Sequence, residues 1–130
     1  MSIGNIIEQI TRNQVQQNKI VANISDANSQ FGIFTAQKTV SVIYILTLFD
    51  GTIFVDTSGS VASLTLPSAI GLGGRIYTIK DTGNASAFNI TILTILAQTI
   101  DGVTPLVLTV DFQSVMLQSN GVNWLVIASH

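Results

Sequence analysis

Few side chains in this sequence are suited to acid–base, nucleophilic or metal chemistry. The single histidine is His130, the last residue of the 130. Chain ends are usually poorly held, so a Ser–His–Asp triad or a zinc site built on it would rest on a loose end. The acids are Glu8, Asp26, Asp50, Asp56, Asp81, Asp101 and Asp111. Asp50 and Asp101 each precede a glycine, where turn geometry accounts for them. Asp56, Asp81 and Asp111 fall at the ends of apolar runs, where a short acid accepts backbone hydrogen bonds. A carboxylate pair for glycoside hydrolysis is conceivable, since acids from separate loops can meet in space, but nothing in the spacing calls for one. Cysteine is absent, which removes thiolate ligands and disulfides. These counts predict a chain with no catalytic residues, no metal and no cofactor.

Two further features invite a chemical reading. Gly71-Leu72-Gly73-Gly74 has the look of a phosphate loop. It lacks the Lys-Ser/Thr that would follow, and Arg75-Ile76-Tyr77-Thr78-Ile79 reads as a strand, whereas a phosphate cradle opens a helix. A tight bend is the better reading. Trp124 is the only tryptophan and follows Asn120-Gly121-Val122-Asn123. It reads first as a core anchor. The sharper alternative makes Trp124 or Tyr77 the stacking platform of a carbohydrate-binding β-sandwich module.

The elements that would position these residues fall into two regions. Residues 1–34 are rich in Gln, Asn and Ile and contain no proline. Counting alternately three and four from Ile3 gives Ile3, Ile6, Ile10, Asn13, Gln17, Ile20, Ile24, Ala27, Phe31 and Phe34, all apolar but Asn13 and Gln17. Isolated helices of this length are marginal in water, so the seam needs a partner. Isoleucine at both core positions of a heptad favours trimers or larger bundles, and isolated polar layers fix the register. The predicted element is a parallel trimeric coiled-coil stalk. Ile7, Val15 and Val21 widen the apolar face and suit an alternative, a helix packed on its own domain.

From residue 35 onward Thr, Val, Ile, Gly and Leu dominate. Predicted strands are Thr39–Leu48, Thr52–Asp56, Val61–Leu66, Arg75–Lys80, Phe88–Leu96, Gln98–Ile100, Leu106–Val110, Ser114–Gln118 and Trp124–Ala128. Asp50-Gly51, Ser58-Gly59, Gly71–Gly74, Thr82-Gly83-Asn84, Asp101-Gly102 and Asn120-Gly121 separate them, and Asp-Gly and Asn-Gly suit tight hairpins. The pattern predicts a mainly β fold, a β-sandwich or jelly-roll-like knob over residues 35–130. Thr39–Leu48 and Phe88–Leu96 carry apolar residues at both odd and even positions. Such strands are central, or they face another subunit.

Composition narrows the partners. Hydrophobic residues make up 47% and charged residues 9%, against roughly 25% charge in ordinary domains. Such a chain has little charge to solvate a large free surface. The five cations, Arg12, Lys19, Lys38, Arg75 and Lys80, are scattered, so nucleic acid is not an expected partner. The longest apolar run, Val40–Phe49, is too short to span a bilayer, which takes about 20 residues. The first residues lack the layout of a secretory signal.

The order of the strand motifs also resembles a known class. Val55-Asp56-Thr57-Ser58-Gly59, Leu64-Thr65-Leu66-Pro67-Ser68-Ala69 and Gly74-Arg75-Ile76-Tyr77-Thr78-Ile79-Lys80-Asp81 form its first half. Asn89-Ile90-Thr91-Ile92, Thr99-Ile100-Asp101-Gly102 and Ser114–Trp124 form its second. This order is similar to small β domains at the ends of bacteriophage tail or head fibres and in fibre-like virion proteins of large DNA viruses. The resemblance covers roughly residues 50–129. It implies a homotrimeric head on a stalk, placed on the virion surface, that decorates the particle or attaches it to a host. Its implied partners are further copies of the chain, other virion proteins and a cell-surface glycan. It carries no catalytic motif.

Overall fold

A computed structural model describes residues 35–130. The described residues contain nine strands and no helix: β1 (Gln37–Val40), β2 (Ile43–Ile45), β3 (Thr52–Val55), β4 (Ala62–Thr65), β5 (Ile76–Asp81), β6 (Ile90–Leu93), β7 (Leu106–Leu108), β8 (Ser114–Ser119) and β9 (Trp124–Ser129). They build two sheets, ordered β1-β3-β5-β8-β9 and β2-β4-β6-β7.

The mainly β expectation holds, but the path of the chain differs from that of a jelly roll. From β1 to β6, consecutive strands alternate between the sheets. Each of β1 to β4 pairs in parallel with the strand two places on, as in Gln37↔Thr52, Thr52↔Thr78 and Ala62↔Ile90. Every circuit of the chain therefore adds one strand to each sheet, the winding of a solenoid. Antiparallel strands then close the stack: β7 on β6, β8 on β5, and β9 on β8.

Two local features explain why hairpins do not form early in the chain. The predicted long strand Thr39–Leu48 is broken at Val42, whose φ of 64° turns the backbone and sends β1 and β2 into different sheets. A β-branched residue in that region is strained. Asp50-Gly51 then carries the chain back from one sheet to the other rather than folding it on itself. Gly51 is needed there for space, because a Cβ on it would lie 2.7 Å from the Ala36 carbonyl oxygen. The later signals do make hairpins. Asp101 and Gly102 both have positive φ, at 51° and 81°, and Ile100 bridges Val103 across them. Gly121, with φ of 94°, closes the turn between β8 and β9.

Within the strands burial alternates with period two, as a pleat requires. Ile53, Val55, Tyr77, Ile79, Val115 and Leu117 from one sheet meet Leu64, Ile90, Ile92 and Leu108 from the other in a single core. Each fully buried aliphatic side chain contributes about 1.5–3 kcal/mol. The strand pattern predicts a sharp contrast between neighbours. Ile92→Ala should cost about 2–5 kcal/mol in a denaturant titration. Thr91→Ala, on the outer face, should stay within about 0.5 kcal/mol.

Candidate functional site

The carboxylates of the described residues all serve the backbone. Asp56 Oδ1 accepts the Ser58 N–H at 2.9 Å, and Asp101 Oδ1 the Val126 N–H at 3.0 Å. Asp111 Oδ1 accepts from both the N–H and the hydroxyl of Ser86, at 3.0 and 2.8 Å. Asp50 Oδ2 accepts from the Tyr44 hydroxyl at 2.7 Å and from the N–H and hydroxyl of Thr47 at 2.8 and 3.1 Å.

Asp81 is the most heavily used. It ends β5, fully buried. Oδ1 accepts the Thr57 hydroxyl at 2.9 Å. Oδ2 accepts the N–H groups of Gly83, Ala85 and Phe112 at 3.0, 3.1 and 2.9 Å. Burial alone pushes its pKa up. The donors from Phe112, Ala85, Thr57 and Gly83 outweigh that and hold it below the ordinary 3.8. Such an arrangement stabilises the ionised acid and leaves it without proton affinity for general acid or base work near neutral pH.

The cations are also engaged locally. Lys38 Nζ lies 4.7 Å from the Tyr44 ring centre, and the Arg75 guanidinium 4.8 Å from that of Tyr77. Arg75 also donates to the Asp50 carbonyl, and Lys80 to that of Phe112. His130 is exposed, and its backbone pairs with Ser114. Among the described residues no group of three or more His, Asp or Glu side chains is placed to hold a metal.

Tyr77 and Trp124 come together, but not as a binding surface. Both are 0% exposed, with ring centres 5.5 Å apart at 50°. The Tyr77 hydroxyl donates to the Thr47 carbonyl, and Trp124 Nε1 to that of Pro67. The stacking-platform reading is therefore corrected: neither ring has a free face for a sugar. Large amphipathic rings fill the core and satisfy their polar ends on loop carbonyls. The ten seam residues from Ile3 to Phe34 lie outside the described residues.

One surface cleft of about 410 Å³ is lined by Thr35, Ala36, Leu48, Phe49, Asp50, Gly51, Gly74, Arg75 and Ile76. Phe49 on its rim is 89% exposed. The sequence marks this region only as a strand apolar on both faces; the corner at Val42 that turns one of those faces outward left no signal. No family model matches the chain, and no curated protein matches it.

The Asp81 cluster sets a pH dependence. A carboxyl depressed in the folded state stabilises it fully above the unfolded value, and that stability is lost as pH falls through the folded pKa. Stability should therefore be flat near neutrality and decline in acid below about pH 4. Asp81→Asn should cost about 2–3 kcal/mol at pH 7 and make the acid decline shallower. Urea midpoints measured from pH 7 to pH 2.5 check both.

Proposed function

We propose that this chain is a non-enzymatic structural protein of a virus particle, a homotrimeric fibre or spike head carried on a stalk formed by residues 1–34. The observation that carries this reading is the use of every described carboxylate as a backbone acceptor. The polar chemistry of the domain is spent on holding its loops. What it offers outward is a surface of small hydroxyl residues and exposed apolar ones, such as Ile43, Ile45, Leu48 and Phe49. Packing against copies of itself suits that surface better than a dissolved substrate does.

The order of the strand motifs and the isoleucine seam support the trimer. Three heads on one axis turn weak contacts into avidity without adding contacts, which serves decoration of a particle and attachment to a host alike. The partners are further copies of the chain and other virion proteins, at the particle surface. A glycan-binding module is the weaker reading, since its two proposed platform residues are buried.

Light scattering of the full chain should give three times the chain mass. A monomer at micromolar concentration contradicts the trimer. Antibodies against the β domain should decorate the outside of particles that contain the chain, and particles that stay unlabelled contradict the virion assignment.

A further inference from the structure

The first circuit of the domain leaves an apolar strip uncovered. On β2, Ile43 and Ile45 are in register with Ser63 and Thr65 on the outer face of their sheet, and are 73% and 66% exposed. The chain continues through Leu48 and Phe49, both exposed. No charged residue occurs from Thr39 to Phe49. Scattered exposed aliphatics are ordinary; a contiguous run of them marks an interaction surface.

One backbone edge beside this strip, that of β1, is guarded. Lys38 on β1 is in register with the buried Ile53, so it sits on the core-facing side of an edge strand and folds over Tyr44. A lysine so placed blocks strand addition at an edge. The side chains of the strip remain free to pair.

We propose that this strip is where the β domain meets a second copy of the chain, with Phe49 as the knob and the adjoining cleft of the neighbour as its socket. The inference rests on the trimer proposed above and names its contact surface. The occupant follows from where the chain enters. Thr35 and Ala36, the first described residues, wall the same cleft as Leu48 and Phe49. Joining three chains through residues 1–34 holds three copies of Thr35, and with them three such clefts, near a common axis. A three-fold ring needs two different complementary patches on each subunit, and a projecting ring beside a hollow supplies both. The hollow, at about 410 Å³, has ample room, since about 150 Å³ already admits benzene. Buried aromatic anchors of this kind dominate interfaces. The absence of charge from the strip spares the ring like-charge repulsion.

The chain has no cysteine, so single cysteines report without background. Phe49→Cys and Ile127→Cys variants of the full chain would be sized by light scattering, then treated with a short bis-maleimide and resolved on a denaturing gel. Ile127 lies on β9, at the opposite edge of its sheet from β1. Covalent dimers should dominate for Phe49→Cys and be at least ten-fold scarcer for Ile127→Cys. Loss of the trimer in Phe49→Cys, with its β-sheet circular dichroism intact, also supports the strip. A Phe49→Cys trimer without cross-links, or cross-linking at Ile127→Cys that equals it, overturns the strip while leaving the trimer standing. A monomeric parent chain overturns the trimer itself.

Discussion

A single buried carboxylate sets the geometry at one side of the two sheets. Asp81 stands at the end of β5, which like β6 has a parallel neighbour on one side and an antiparallel one on the other. Its oxygens take hydrogen bonds from Thr57 after β3, from Gly83 and Ala85 after β5, and from Phe112 before β8. The ends of three neighbouring strands, β3, β5 and β8, are thereby tied together. Parallel strands have no hairpin to fix their register, so a shared acceptor at their ends does work that a turn does elsewhere. A buried charge is tolerated only when its lone pairs are filled. Here four donors fill them.

That anchor allows the rest of the domain to be built mainly from apolar layers. Inward side chains of both sheets meet in one core, in which Tyr77 packs against Trp124. Gln98 and Ser119 follow the same rule as Asp81, whereas Arg75 Nε is buried without a partner. Gln98, buried, accepts from the Ala69 N–H and donates to the Ser68 hydroxyl, while the Ser119 hydroxyl donates to the Ala69 carbonyl. With so much of its polar inventory consumed by loops, the domain has little charge left for its surface. The apolar strip of the first circuit is the outward side of that economy.

Much of this was legible in the sequence, and the limits have physical causes. Strand existence was readable because alternation and turn residues are local: β3, β4, β5, β8 and β9 each fall within a residue or so of their predicted bounds. Pairing was not readable. Asp50-Gly51 and Asp101-Gly102 are the same dipeptide, yet one crosses between sheets and the other closes a hairpin. What separates them is the approach of Ala36 to Gly51, a tertiary contact. Val42 gave no sign of its left-handed backbone, since valine is among the least expected residues there. Asp81 was read correctly as a backbone acceptor at a strand end, but its reach to Thr57 and Phe112 depends on the stacking of the circuits. Trp124 as a core anchor was legible, and the sugar-platform alternative fails on burial.

The carboxylates of the β head are used on its own backbone, and its exposed apolar strip is the surface proposed to meet further copies of the chain. Electron-microscopic class averages of the purified full chain test that claim most directly. Three β heads around one axis, joined along the side where the chain enters each head, is the predicted image. Single isolated heads, or three heads splayed apart and joined only through their stalks, would contradict it.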